Sequence, residues 1–283
     1  MAKGISINFG LNSVDPNHYQ GWSGDLRACE FDASDMALIA ASQGFSVVKI
    51  LTQQATRANV LGAIATAAGK LQTGDLCLIS YSGHGGQVPD INGDEDDGLD
   101  ETWCLYDGQL VDDEIYEALS DFAPGVRVLV FSDSCHSGSA IKEMVLLSSI
   151  IGVAPAAATM AMREPVLGYR AMPADVAMRV YLANKAFYDP ILTSEKLKGA
   201  EARVAASCLL ISGCRDDQLS GDGPFNGVFT SRVKAVWNGG KFSGDHTAFW
   251  KTIRSRMPAD QQPELFAIGK DTEGFKAQRP FRI

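Results

Sequence analysis

Leu78-Ile79-Ser80-Tyr81-Ser82-Gly83-His84-Gly85-Gly86 and, further on, Val128-Leu129-Val130-Phe131-Ser132-Asp133-Ser134-Cys135-His136-Ser137-Gly138 decide how this chain reads. Each is an apolar run of strand type that stops in small and polar residues, one delivering a histidine and the other a cysteine. That is the layout of a cysteine–histidine hydrolase. A thiol is a useful nucleophile only as thiolate, and a neighbouring imidazole both lowers its pKa and carries the proton to the leaving group.

Outward from these runs, periodicity places a strand at 4–10, a helix at 30–43, a strand at 45–51 and an alanine-rich helix at 57–71. The first run is the strand 75–82. After the histidine come an acidic loop, a short helix at 112–121 and the strand 126–132. Strands alternate with helices, which predicts an α/β fold: a three-layer α/β/α sandwich with a mainly parallel central sheet and ligands at the carboxyl ends of its strands. His84 and Cys135 both sit at such ends. From 139 to 205 the pattern deteriorates into alanines, methionines, prolines and scattered basic residues, with one helix expected at 174–187. This stretch reads as a long, partly mobile insertion. Order returns with a strand at 206–213, a polar loop at 214–223, helices at 228–237 and 244–256, and a last strand at 263–268. The reading is one domain over 1–283: a catalytic half 1–138, an insertion or linker 139–205, and a second half 206–283 that completes the sheet.

With 283 residues, 46% of them apolar, the chain can bury a substantial core, which excludes disorder along its whole length. No signal-peptide pattern opens it, and no apolar stretch approaches the roughly 20 residues that span a bilayer, so a soluble, cytoplasmic protein is expected. Six cysteines without a Cys-x-x-Cys pair argue against zinc and disulfide staples. Cys77 and Cys208, inside apolar runs, read as small buried hydrophobes. The net charge of −9 is concentrated, because no Lys or Arg falls between Lys70 and Arg127 while acidic residues crowd that segment. This argues against nucleic acid and for a cationic partner, either a metal ion or a basic side chain.

Among the candidates, His84 lies between glycines that let backbone approach a substrate, and the Gly85 amide is placed to donate to an oxyanion. Cys135 is the nucleophile; a helix beginning there would further favour its thiolate. His136, adjacent in sequence, is expected to point away from Cys135 and to be supporting rather than catalytic. An esterase oxyanion loop is a rival reading of His84-Gly85-Gly86, but no Gly-x-nucleophile-x-Gly elbow surrounds Cys135. Asn92-Gly-Asp-Glu-Asp-Asp-Gly-Leu-Asp-Glu101 is not an EF-hand, since placing Asp90 or Asp94 first puts no glycine at the sixth position.

Ser82-Gly-His-Gly85, Gly93-Asp-Glu-Asp-Asp-Gly-Leu-Asp-Glu101, Asp133-Ser-Cys-His-Ser-Gly138 and Ser212-Gly-Cys-Arg-Asp-Asp-Gln218 together resemble a metacaspase, most closely the prokaryotic caspase-like members. The separation of His84 and Cys135 agrees with the roughly fifty residues expected between the members of a caspase dyad. The resemblance implies a caspase–hemoglobinase fold, His84 as base, Cys135 as nucleophile, and cleavage of polypeptides after arginine or lysine. It assigns the first specificity pocket to Cys29 and Asp32, from Cys29-Glu-Phe-Asp32, and to Asp133, with Ser82 beside them. Two carboxylates in a half-buried pocket select a guanidinium or an ammonium. Taken without the resemblance, Asp32 reads as the N-cap of the helix that follows. The resemblance further implies calcium as an activator, held by Asp100, Asp112 and Asp113, although Lys142 stands where a fourth aspartate is expected and would compete with the metal. It implies self-cleavage after a basic residue between the halves, and a monomer. The alternative is a catalytically idle module of the same fold that binds basic peptides or partner proteins.

Overall fold

The computed structural model describes residues 2–93, 98–134, 168–215, 218, 220–223 and 225–283. In chain order its first half comprises β1 (Gly4–Gly10), α1 (Cys29–Ser42), β2 (Ser46–Leu51), α2 (Arg57–Ala68), β3 (Leu76–Ser82), β4 (Gly85–Pro89), β5 (Leu99–Leu105), β6 (Gly108–Val111), α3 (Asp112–Ser120) and β7 (Arg127–Asp133). Then follow α4 (Ala174–Ala183), α5 (Lys185–Leu192), α6 (Ala200–Arg203), β8 (Ser207–Ser212), α7 (Val228–Trp237), α8 (His246–Arg254), β9 (Glu264–Gly269) and α9 (Thr272–Lys276).

The main sheet has six strands in the order β2-β1-β3-β7-β8-β9, all parallel except β9, which runs antiparallel to β8. Its side chains alternate between two cores, as the period of a strand requires. Cys77, Ile79 and Tyr81 of β3, with Val128 and Val130 of β7, pack with Val60 and Ile64 of α2 and Leu119 of α3. Leu76, Leu78, Leu129 and Phe131 face the other way, onto Met36 and Ala40 of α1, Phe229 and Trp237 of α7, and Phe249 and Ile253 of α8. Helices cover both faces because strands buried on both sides leave no face for water. Continuing the alternation, Ser82 and Asp133 fall on the α1 and α7 side, and that is where the pocket described below lies.

Helix starts follow local chemistry. Thr56 accepts a hydrogen bond from the Asn59 N–H at the head of α2, and Asp245 accepts one from Ala248 at the head of α8. At α1 the capping oxygen comes from outside the helix: Asn12 Oδ1 accepts from the N–H groups of Cys29 at 3.0 Å and Glu30 at 3.3 Å. Asp32 is therefore not the cap. It sits inside α1, and its side chain is released for another role.

Two expectations are corrected. The acidic stretch after His84 is not simply a loop, because β4, β5 and β6 form a separate antiparallel sheet there. The described part of the 139–205 insertion is packed: Met172, Val176, Val180 and Tyr188 are buried with Val88 of β4, Leu99 and Cys104 of β5, and Tyr19. Its helix is two helices, broken at Asn184, whose amide donates to both Val180 O and His18 O.

Candidate active site

Ser82 and Asp133 are register partners across β3 and β7, so His84 and Cys135 each come two residues after the last paired residues of adjacent strands. Cys135, His136 and Lys142 lie outside the described residues, as does Asp94–Asp97 of the acidic run. His84 is 5% exposed. Its Nε2 lies 2.9 Å from Gly24 O, which assigns the Nε2–H tautomer, since a carbonyl can only accept. The lone pair is then on Nδ1, which is buried and has no hydrogen-bond partner among the described residues. Burial pushes the imidazole pKa down to about 4, so the ring is a neutral base at ordinary pH. Trp22 packs on it with ring centroids 4.7 Å apart. The His84 carbonyl accepts from the Cys104 N–H at 2.9 Å and the Tyr81 hydroxyl at 2.7 Å. Tyr81 in turn stacks on Trp103 at 4.4 Å, which fixes the strand end from behind.

Asp32 and Asp133 are 1% and 2% exposed. Asp32 Oδ1 accepts from Asn226 Nδ2 at 2.8 Å and the Gly227 N–H at 3.1 Å, and Oδ2 accepts from Ser82 Oγ at 2.9 Å. Asp133 Oδ1 accepts from Ser220 Oγ at 2.7 Å, and Oδ2 accepts from Thr230 Oγ1 at 2.7 Å. Cys29 is buried beside them, and burial pushes its thiol up to about 12, so it is a neutral wall of the pocket. Two ionised carboxylates held this closely in a dry site require a counter-charge.

Arg170 supplies that charge. Its side chain is wholly buried: Nη2 lies 2.6 Å from Asp32 Oδ2 and 3.0 Å from Asp222 Oδ1, and Nη1 lies 2.8 Å from Asp133 Oδ2 and from Ser82 Oγ. Burial works against the charge, yet Asp133 and Asp32 hold the guanidinium pKa well above its ordinary value. The Arg170 backbone is held as firmly. Its carbonyl accepts from the Gly85 N–H at 2.9 Å, its N–H donates to Ser220 O at 3.0 Å, and Met172 N–H donates to Gly85 O at 2.8 Å. Tyr169 bridges Gly221 antiparallel and Ala171 bridges Gly85 in parallel, so 168–172 is an added strand threading past His84. Sequence reasoning counted Arg170 among scattered basic residues and missed Asp222, Ser220, Gly227 and Thr230. These residues converge from loops and α7, and no local pattern marks that convergence.

The acidic residues expected to hold calcium do lie near one another. Burial, followed by Glu101, Asp100 and Asp113, pushes the Asp112 carboxyl well above its ordinary value. Among the described residues, however, no group of three or more His, Cys, Asp or Glu is arranged to hold a metal ion. Carboxylate oxygens of this kind are chemically suited to a hard cation.

An α/β/α sandwich whose parallel strands end at a buried neutral histidine, an amide donor and a carboxylate pocket defines a protein of caspase fold. The sequence profile of the caspase domain family, Peptidase_C14, matches residues 14–280, and the chain belongs to that family. It is similar to Metacaspase-1 of Emericella nidulans, 32% identical over 245 residues that cover 76% of this chain and 58% of that protein. Metacaspase-1A of Aspergillus terreus is 31% identical with the same coverage. This chain thus spans 58% of the length of either relative. The crystal structure of protein GSU0716 from Geobacter sulfurreducens matches with a TM-score of 0.83 and 51% identity, covering 99% of each chain.

Proposed function

We propose that the chain is a cysteine endopeptidase of metacaspase type that cleaves after arginine or lysine with a His84–Cys135 dyad, and that its first substrate is its own Arg170–Ala171 bond. One observation carries the reading: Arg170 is seated in the carboxylate pocket while its carbonyl oxygen accepts from the Gly85 N–H. A peptide bond held by its side chain on one side and its oxygen on the other is oriented for attack. The Cys135 thiol gives its proton to His84 Nδ1, and the sulfur attacks the Arg170 carbonyl carbon. The Gly85 N–H stabilises the oxyanion. On collapse the C–N bond breaks, His84 returns the proton to the Ala171 nitrogen, and water then hydrolyses the acyl-enzyme. Substrates in trans take the same seat once the 168–170 strand is displaced.

No step runs through calcium. Its expected role as an activator through Asp100, Asp112 and Asp113 is a separate proposal, tested by turnover with calcium and with chelator. The reading also carries a cytoplasmic monomer acting on polypeptides. Among the described residues no helix is long and apolar enough to cross a membrane.

The test is mass spectrometry of the incubated full chain beside Cys135→Ala, with a fluorogenic arginine peptide in parallel. Expected are a new N-terminus at Ala171 and arginine turnover, both absent in the mutant. An intact chain with no turnover would favour the idle peptide-binding module.

A further inference from the structure

The pocket has a third carboxylate that the motifs do not mark. Asp222 Oδ1 takes the second hydrogen-bonding direction of Arg170 Nη2 at 3.0 Å, while its Oδ2 accepts from the Arg27 N–H at 2.9 Å and its own N–H donates to Gly168 O at 2.6 Å. These bonds tie Asp222 to the loop before α1 and to the added strand, so its carboxylate is not free to follow a differently shaped cation. The two terminal nitrogens of the guanidinium serve different walls: Nη1 goes to Asp133 and Ser82, and Nη2 is shared by Asp32 and Asp222. Nε has no partner among the described residues, so recognition rests on the fork alone. The slot is also flat. A Cβ on Gly227 would stand 2.6 Å from Arg170 Cζ and Nη2 and 2.7 Å from Nη1.

We infer that Asp222 makes this pocket selective for arginine over lysine and ties that choice to pairing of the residue two before that arginine, here Gly168. The inference rests on the peptidase reading above and sharpens its substrate class. A lysine ammonium is one nitrogen on a flexible stem, so it can neutralise Asp32 and Asp133 from a single point but cannot also reach the tethered Asp222. A lysine in the seat therefore leaves a nearly buried carboxylate without a cationic partner. A hydrogen bond to a charged group is worth enough to change a rate by about 10- to 100-fold.

Two measurements on the full-length chain test this. The first compares matched fluorogenic peptides ending in arginine or lysine, with wild type and Asp222→Asn, each also carrying Arg170→Gln so that the chain's own arginine does not compete. The expected arginine-to-lysine ratio of kcat/KM is about 100 with Asp222 and falls at least about tenfold in Asp222→Asn, through loss on arginine alone. A purely structural role would lower both substrates together and leave the ratio unchanged, which overturns the inference. The second needs no turnover: a thermal double-mutant cycle of Arg170→Lys and Asp222→Asn in a Cys135→Ala chain. Arg170→Lys is expected to lower Tm by about 5 °C with Asp222 present and by less than half of that without it. Equal losses in both backgrounds also overturn it. If no peptide is turned over, the peptidase reading fails, and the cycle still decides whether Asp222 selects arginine.

Discussion

His84 and His246 are both buried, and burial pushes each pKa down from 6.5 to about 4. Each is neutral in the fold and becomes protonated on unfolding below pH 6.5, so the unfolded chain binds more protons between pH 6.5 and 4. Their contribution to stability is complete above pH 6.5 and is lost as the pH falls toward 4, by up to about 3 kcal/mol per histidine. Urea denaturation at pH 7.5, 5.5 and 4.5 should show that decline, and His246→Asn, remote from the site, should flatten part of it. A midpoint that does not move over this range would refute the account. At Gly227 the backbone itself tolerates alanine, since φ is −60°, but the added methyl would occupy the face of the arginine fork. Gly227→Ala should therefore slow cleavage at Arg170 by about 100-fold while the chain still folds, as read by fragment appearance beside circular dichroism.

The strand at 168–172 is pinned twice, by Arg170 in the pocket and by Met172 in the cluster between α4 and the β4-β5-β6 sheet. Arg170→Ala removes only the first pin, and it leaves Asp32, Asp133 and Asp222 facing one another. An uncompensated buried charge of this kind costs about 3–5 kcal/mol. Burial pushes the Asp32 carboxyl up to about 6 even with Arg170 present, so without it the cluster takes up a proton more readily. The destabilisation should be largest near pH 7.5 and smaller near pH 5, as measured by denaturant melts at the two values. A loss below 1 kcal/mol at both would mean that the ion cluster does not hold the strand. The same segment explains why the small sheet was hard to read in advance: Gly85-Gly-Gln-Val-Pro89 has the glycines and proline of a turn, and it forms a strand because β5 and residue 171 pair with its two edges.

For the molecule as a whole, cutting after Arg170 does not divide the fold. β8 lies after the cut and pairs along β7, which lies before it, from Arg127↔Ser207 to Ser132↔Ser212. Residues 174–192 remain packed against β4, β5 and Tyr19. The two fragments should co-elute as one particle near the 30.3 kDa of the intact chain and separate only in denaturant. Size-exclusion chromatography with light scattering on the cleaved protein checks this. Fragments that part in buffer would show that the sheet does not bridge the cut, and a particle of twice that mass would count against a monomer.

Alternation of apolar residues and helix-type periodicity were enough to place the six strands of the main sheet and most of its flanking helices, because those signals are local and repeat every two or 3.6 residues. The same local reading put His84 and Cys135 at strand ends. The Asp32 motif permitted two roles, and the choice fell to Asn12, 20 positions earlier, which caps α1 in its place. No local signal joined Arg170 to Asp32, Asp133 and Asp222, which lie 138, 37 and 52 positions away, since charge pairing in a buried pocket depends on what the folded chain brings within 3 Å. The strands and their polar ends are written in short-range order, whereas the occupant of the pocket is a consequence of long-range packing and of the requirement that buried carboxylates find a partner.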